Sequence, residues 1–367
     1  MTPRHLYVHV PFCARRCSYC DFSIAVRRSP PVDEYLRALR SEIGSLSLAR
    51  TPELETLYFG GGTPSRLGAH GMAASIDLVR ESFSLASGAE VTMEANPEDV
   101  TEGAARVWKN SGINRVSLGM QSFDDSVLKW MHRTHTAAQS VEAVEAVRSA
   151  GIRNLSVDLI FALPRSLNRS WESDLARAID LAPEHISLYG LTIESATPLA
   201  RWQERGAMVP ATEDTYAEEF MLADRIATVA GYEHYEVSNF ALPGKKSRHN
   251  SAYWSGAEYL GIGPSAHSFD GETRRWNVRP YTEWVARLEN GRDAIEGSER
   301  LTASNRDAEK LYLGLRTSAG LSASGSDLER VREWENAGWA RVEDDVVHLT
   351  SEGWLRLDSL AAGLTGL

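Results

Sequence analysis

The sequence predicts an α/β protein: a partial (β/α) barrel of six units, TIM-like in plan, followed by a small winged-helix-like domain. Three observations carry that expectation. Short β-branched or aromatic runs alternate with longer amphipathic stretches as far as residue 190, the pattern of parallel strands joined by right-handed helical crossovers. Several runs end in a polar residue (Glu94, Asp158 and, just past its run, Gln121), and barrel sites are assembled at that end of the strands. From about residue 303 the pattern changes to helix, helix, hairpin. An open doubly wound sheet is the competing architecture for the first part.

In chain order the strand candidates are HLYVHV (5–10), ETLYF (55–59), EVTME (90–94), RVSLG (115–119), LSVDLI (155–160) and HISLYG (185–190). Between them lie helical stretches such as VDEYLRALRSEIGSL, AASIDLVRESF and AAQSVEAVEAVRSAG, the last ending on Gly151 as a left-handed stop. These units make a first domain, 1–205. Over 206–300 the pattern loosens into a barrel extension. A helix at 213–230 is followed by the aromatic and polar YEHYEVSNFALPGKKSRHNSAYW, then by the glycine-rich YLGIGPSAHSF. In 301–367, NRDAEKLYLGLRTSAG reads as a helix closed by Gly320, SDLERVREWENAGW as a second helix, and ARVEDDVVHLT as a hairpin turning at Glu343–Asp345 before a final helix.

Composition sets outer bounds. With 367 residues, 43% hydrophobic and 24% charged, the chain is in the ordinary globular range. No apolar run of about 18 residues occurs, so no membrane span is expected; peripheral association with a membrane stays open. The N-terminal MTPRHLYVHVPFC offers no secretory apolar core, so a cytoplasmic location is expected. A formal net charge of −11 weighs against broad binding of phosphate backbones. In the tail Asp327, Glu329, Glu333, Glu335, Glu343, Asp344 and Asp345 outnumber Arg330, Arg332 and Arg341, so no nucleic-acid partner is expected.

The three cysteines, Cys13, Cys17 and Cys20, all lie in PFCARRCSYCDF. A disulfide framework would spread an even number along the chain. The spacing Cys-x3-Cys-x2-Cys suits a four-iron, four-sulfur cubane held by three thiolates, one iron keeping an open position. The amino and carboxylate groups of S-adenosylmethionine fit that position, and electron transfer to the sulfonium starts radical chemistry. A structural zinc is the rival; it needs a fourth ligand, and His5 and His9 are near but belong to a strand. Three free cysteines in a loop is the blandest reading. GGGT at 60–63 follows a strand directly, where glycines let backbone groups approach a ligand; a tight strand-to-helix turn is the alternative. Asp158 stands inside the apolar run LSVDLIFALP, where an unpaired carboxylate is costly to bury. It is either a ligand contact or the partner of a buried backbone or arginine group.

Taken in order, PFCARRCSYCDF, YFGGGTPS, MEANP, GMQSF and DLIFALP resemble the radical S-adenosylmethionine superfamily. Within it the chain is similar to the branch shared by oxygen-independent coproporphyrinogen III oxidase and the HemW-type heme chaperones, over most of its length. The resemblance implies a [4Fe-4S] cluster on the three cysteines and S-adenosylmethionine beside it. It assigns Gly61, Gly62 and Thr63 to the methionine part of that cofactor. Glu94, Gln121, Arg133 and Asp158 match the positions that meet its ammonium, ribose and carboxylate, chemistry suited to acids, amides and an arginine. Tyr7 aligns with a further cofactor contact, while Tyr19 either stacks near the adenine or packs.

Two features divide the branch. The oxidases carry a fourth cysteine two positions after the third, where this chain has Phe22, and a long segment before the triad, where this chain has twelve residues. Both departures weigh against oxidase activity. HNSAYW at 249–254 resembles the chaperone signature. On that reading His249 offers a neutral imidazole to heme iron. Tyr253 and Trp254 supply flat apolar surface, Asn250 completes the motif, and Lys245, Lys246 and Arg248 meet the propionates. His234 and His267 are weaker candidates, each read as structural. The resemblance therefore implies a heme chaperone that passes heme to acceptor proteins and draws on an electron donor for its cluster; a porphyrinogen-decarboxylating oxidase is the alternative.

Overall fold

The computed structural model describes residues 3–46, 52–323 and 326–365. Six strands stand side by side in chain order: β1 (His5–Val10), β2 (Glu53–Gly61), β3 (Ser84–Ala95), β4 (Arg115–Gln121), β5 (Asn154–Phe161) and β6 (His185–Gly190). Every neighbouring pair is parallel. Right-handed crossovers that always step the same way leave their helices on one face and curl the sheet, whereas a doubly wound sheet reverses its order at a switch point. The partial barrel is thus the fold.

The crossover helices are α1 (Val32–Ser45), α2 (Gly68–Arg80), α3 (Glu102–Asn110), α4 (Ala137–Ser149) and α5 (Trp171–Asp180). Their apolar stripes, including Leu39, Ile76, Trp108, Val144 and Leu175, join Val8, Leu57, Val116 and Val157 of the strands in one buried core. Local signals set the helix ends. Thr136 and Gln139 form a reciprocal capping box at the start of α4, and Gly151, at φ +85, lets the chain leave it.

The 206–300 segment carries more regular structure than its pattern suggests. Leu260–Ile262, from the glycine-rich stretch, is a strand running parallel to β1. Asn239–Ala241 pairs antiparallel with β6 and with Glu233–Glu236, giving a nine-stranded sheet. Gly261 makes the first of these additions feasible: a Cβ there would lie 2.0 Å from the carbonyl oxygen of His267, where the chain doubles back. Nor is HNSAYW a loop. It forms α7 (Arg248–Trp254) after α6 (Glu213–Val229), with the Ser247 hydroxyl accepting from the Asn250 N–H. The Glu90 carboxylate of β3 accepts from the Arg248 and His249 N–H groups, donors that a helix's first turn leaves unpaired.

The C-terminal part runs α8 (Ala303–Leu315), strand Leu321–Ser322, α9 (Ser326–Asn336), then a hairpin of Ala340–Glu343 and Val346–Leu349: the helix, helix, hairpin order read from the sequence, with a short strand added between the helices. Asp344 and Asp345, at φ +49 and +62, make the two-residue turn. Two expectations need correction. The helix α8 ends at Leu315, well before Gly320; that glycine instead lets the chain pass the hairpin, because its Cβ would stand 2.6 Å from the Val347 carbonyl oxygen. The final helix is divided into Ser351–Trp354 and Leu357–Thr365. The side chains of Asp327 and Glu329, counted in the acidic tail, lie outside the described residues.

One buried acid ties the first crossover to the later segment. Glu42 of α1 accepts hydrogen bonds from the Gly263 N–H (2.8 Å), the Trp284 indole N–H (2.9 Å) and the Asn277 amide. Burial pushes its carboxyl up to about 7, against the pull of these donors. The folded chain therefore holds a proton that the unfolded chain releases near 4.5, so this group's contribution is largest below that pH and declines as pH rises towards 7. Glu42→Ala leaves three buried donors unpaired and should lower unfolding free energy by about 2–4 kcal/mol in denaturant titrations. The gap between wild type and variant should narrow between pH 4.5 and 7; a gap constant across that range would refute the shift.

Candidate functional site

The site begins where β1 and β2 end. After Val10 the chain turns through Pro11 and Phe12 and brings Cys13, Cys17 and Cys20 to the C-terminal mouth of the barrel. Two backbone hydrogen bonds clamp the segment to the end of β2: Gly62 N–H to Val10 O and Thr63 N–H to Phe12 O, both 2.8 Å. The glycines permit this approach. A Cβ on Gly62 would lie 2.7 Å from the Pro11 carbonyl, and one on Gly61, at φ +111, would lie 2.4 Å from the His9 ring. This close approach positions the cysteine segment.

All three thiols are unpaired and partly accessible. The Cys13 sulfur lies 3.4 Å from the Thr63 hydroxyl, and the Arg133 guanidinium donates to the Cys17 sulfur at 3.6 Å. Burial pushes the Cys13 thiol up to about 12 and raises Cys20 as well; a bound metal inverts that preference, since coordination stabilises the thiolate. Among the described residues no three His, Cys, Asp or Glu side chains gather about one point. A cubane asks instead for sulfurs spread over three irons. The histidines weighed as a fourth zinc ligand are engaged elsewhere. His9 bonds the Tyr7 hydroxyl (3.1 Å) and the Ser23 carbonyl (3.0 Å), and His5 bonds Thr56.

The ends of β3, β4 and β5 supply the other groups. Glu94 accepts from the Tyr58 hydroxyl (2.8 Å) and the Gly61 N–H (3.2 Å), and burial holds its carboxyl up to about 7. Asp158 is held by the Ser117 hydroxyl, 3.0 and 3.1 Å from its two oxygens, and by Ser156 at 3.2 Å; burial raises it too. Neither acid forms an ion pair among the described residues. Gln121 ends β4 at φ +68, with a register shift beside it, a strained conformation costing on the order of 1–3 kcal/mol. Arg133 donates to Asn96 Oδ1 and to the Gly119 carbonyl, both at 2.7 Å, while its Nε is buried without a partner. Asn96 and Ser117 were not singled out in the sequence. Asn96 lies inside MEANP, whose position one residue past a strand is the available signal.

These residues fit the implied cofactors. Three thiols with an adjacent arginine suit a cluster of net negative charge. Two half-buried acids that make no direct ion pair among the described residues suit an ammonium and ribose hydroxyls, with the buried Arg115 drawing both carboxyls down. Cys13, Cys17 and Cys20 would hold the [4Fe-4S] cluster, with Glu94, Gln121, Arg133, Asp158 and the Gly61–Thr63 backbone around S-adenosylmethionine. When bound, the pair supplies one-electron reduction of a sulfonium. Tyr7 stacks on Tyr58, with ring centroids 6.1 Å apart. Tyr19 packs against the Val127, Met131, Ile160 and Leu163 cluster.

The heme candidates divide. His249 is buried, its Nδ1 2.7 Å from the Thr56 hydroxyl and its Nε2 2.9 Å from the Tyr253 hydroxyl, and burial holds its imidazole down to about 3. Both ring nitrogens are thus occupied inside the barrel wall. Tyr253 and Trp254 face a cavity of about 590 Å³ at the barrel mouth, whose floor reaches Gly61 and Glu94 and whose rim carries Phe22 and His267. Arg316 lies over the Trp254 ring at 4.4 Å. Lys246 pairs with Glu233 at 2.9 Å, and Arg248 donates to the Gly88 carbonyl. His234 is structural, bonded to Asp224 at 2.7 Å and to the Val237 carbonyl. His267 departs from its structural reading: it is exposed and makes no hydrogen bond through its ring among the described residues.

Substitutions at the cysteine clamp separate ligand loss from positioning. After anaerobic reconstitution the wild type should carry about four irons and four sulfides per chain, and Cys13→Ser almost none. Gly62→Ala, which keeps every thiol, should also lose most of the cluster, read as iron content and visible absorbance. Full loading of Gly62→Ala would show that the backbone clamp is dispensable.

Comparison with known proteins matches this geometry. The Radical SAM superfamily model covers residues 7–178. The heme chaperone HemW of Lactococcus lactis is 36% identical, over 87% of this chain and 83% of that protein. HemW of Mycobacterium tuberculosis is 36% identical over 99% and 95%, and HemW of Bacillus subtilis 32% over 95% and 96%. Among solved structures the coproporphyrinogen III oxidase HemN of Escherichia coli superposes with a TM-score of 0.83 at 22% identity, over 98% of this chain and 89% of that one, a likeness of fold. A radical S-adenosylmethionine protein carries a [4Fe-4S] cluster with that cofactor, and the cysteine mouth described above is built for both. The chain belongs to the HemW heme chaperone family of the radical S-adenosylmethionine superfamily.

Proposed function

We propose that this protein binds heme on its cluster-bearing barrel and delivers it to acceptor proteins, with no porphyrinogen decarboxylated. The observation that supports this most is Phe22. The residue two positions after Cys20 is an apolar ring, 64% exposed, on the rim of the cavity beside the cysteine loop. A fourth thiol there would favour oxidase chemistry; a phenyl group favours a flat apolar ligand. Tyr253 and Trp254 line the same cavity, and proteins named heme chaperone align along most of the chain.

In this reading Cys13, Cys17 and Cys20 hold the cluster. Tyr7, Gly61, Gly62, Thr63, Glu94, Gln121, Arg133 and Asp158 serve S-adenosylmethionine, and His249, Asn250, Tyr253 and Trp254 form the heme-side motif. The working parts are a cofactor barrel (1–205), an extension bearing that motif (206–300) and a C-terminal partner domain (301–367). An electron donor reduces the cluster, and transfer takes place in the cytoplasm, at a membrane surface where the acceptor lies there. Among the described residues no helix is long and apolar enough to cross a membrane.

Two measurements test the reading. Reconstituted protein should bind hemin in an absorption titration, and should yield no protoporphyrinogen from coproporphyrinogen III with S-adenosylmethionine and reductant under anaerobic conditions. Absence of hemin binding, or decarboxylated product, would overturn it. Separately, Asp158→Asn and Arg133→Ala should each weaken S-adenosylmethionine binding by about tenfold or more, the scale of one charge-assisted hydrogen bond, in equilibrium dialysis at equal cluster content.

A further inference from the structure

Ten histidines stand in the chain, and most are spent. His5, His9, His135, His185, His234, His249 and His348 each bond through a ring nitrogen. Among the described residues only His70, His132 and His267 do not, and of these His267 alone lines the cavity at the barrel mouth. A residue that ligates iron needs a neutral imidazole with a free nitrogen in reach of an open, partly apolar space. His249 meets the first condition and fails the second, because freeing its Nε2 or Nδ1 breaks a buried hydrogen bond to Tyr253 or Thr56.

The surroundings of His267 supply the remaining chemistry. It opens the strand His267–Phe269, which pairs antiparallel with Thr273–Asn277 so that His267 faces Trp276 and Phe269 faces Arg274. Directly opposed residues share a sheet face, so this face presents an imidazole, an indole, a phenyl ring and a guanidinium. The Trp276 ring backs the imidazole at 6.2 Å, and the glycine at 297 leaves room for it, since a Cβ there would stand 2.5 Å from the indole. Partial desolvation of the ring, with Arg274 and Arg279 nearby, keeps the His267 imidazole below its ordinary value, hence neutral near pH 7. Arg279 is exposed on the same cavity with no side-chain partner among the described residues, and Arg274 pairs with Glu309 at 2.9 Å. Phe22 and Trp254 line the same cavity. The volume of about 590 Å³ falls within the ~300–1,000 Å³ of cofactor sites.

Resting on the heme-chaperone reading, we propose that heme docks at this rim with His267 as its iron ligand and Arg279, aided by Arg274, at its propionates. His249 then acts as a structural lock for the helix that carries Tyr253 and Trp254. The site is open on one side, as a protein that must release its ligand requires, whereas a ligand at the position of His249 would be enclosed by the barrel.

The test uses the full chain with its cluster reconstituted, titrated with hemin and, separately, with metal-free protoporphyrin IX. Wild type should bind both. His267→Ala should shift the Soret maximum and change the ferric heme EPR signal, weaken hemin binding about tenfold, and leave protoporphyrin binding nearly unchanged; added imidazole should restore the wild-type spectrum. Arg279→Ala should weaken both ligands by a similar factor, because propionates are common to them. Because His267 is exposed, its replacement should not disturb folding, which cluster content and circular dichroism verify. If wild type binds hemin but His267→Ala gives the same spectrum and affinity, the ligand assignment fails and the chaperone reading stands. If wild type binds no hemin, both fail.

Discussion

The mouth of the barrel depends on how closely two pieces of backbone approach one another. At the end of β2, residues 60–63 lie against 9–12 so tightly that Cβ atoms on three successive residues would collide: with the Tyr58 ring and Glu94 at position 60, with His9 at 61, and with the Pro11 carbonyl at 62. Glycine at 61, with its positive φ, and at 62, against backbone, is a steric necessity, and the two hydrogen bonds through Gly62 and Thr63 convert the contact into a fixed register. Everything downstream inherits that register. Cys13 reaches the Thr63 hydroxyl because the clamp sets its height above the sheet, and Glu94 reaches the Gly61 N–H because no side chain intervenes.

Charge is arranged around the clamp in a complementary way. On one side two carboxyls, Glu94 and Asp158, are held by hydroxyls and a backbone N–H and make no direct ion pair among the described residues, with the buried Arg115 the cation that acts on both. On the other, Arg133 turns toward a thiol, with Asn96 and the Gly119 carbonyl holding its far nitrogen. A zwitterion bearing an additional positive charge fits between such walls, and an anionic cluster fits beside the guanidinium. The strain at Gln121 lies at the same mouth: a non-glycine residue at φ +68 ends β4 beside a shift in its register with β5.

Much of this was legible in the sequence, for identifiable reasons. The six strands show as short β-branched runs because each is buried on both faces of a parallel sheet, and the cysteine spacing is local, so it survives without any knowledge of tertiary contacts. What escaped notice is non-local or backbone-driven. The Leu260–Ile262 strand has only three residues, and its place beside β1 is decided by a partner some 250 positions away in the chain. That α7 is a helix depends on Glu90, a strand residue that caps it from across the fold. Asn96 contributes through a contact to Arg133, 37 positions later. His267 reads as a structural histidine until the pairing of its strand with Thr273–Asn277 shows which face it occupies.

The HNSAYW segment shows why a signature is not the same as a list of ligands. His249 sits where three elements of the fold meet. Its backbone N–H goes to Glu90 on β3, its ring bonds Thr56 on β2 and Tyr253 one turn along its own helix, and its face lies on Tyr58 at 4.9 Å. Replacing it would leave Thr56 and Tyr253 each short of a partner in a buried setting, which costs on the order of 1–3 kcal/mol per group. Such a residue is fixed by structure alone, whatever the protein binds. Its consequence for the cavity is indirect but definite. With His249 locked, Tyr253 and Trp254 are held at the rim at a set angle, and the ring of Trp254 is pinned from behind by Arg316. The motif thus shapes one wall of the cavity that His267, whose ring makes no hydrogen bond among the described residues, also lines.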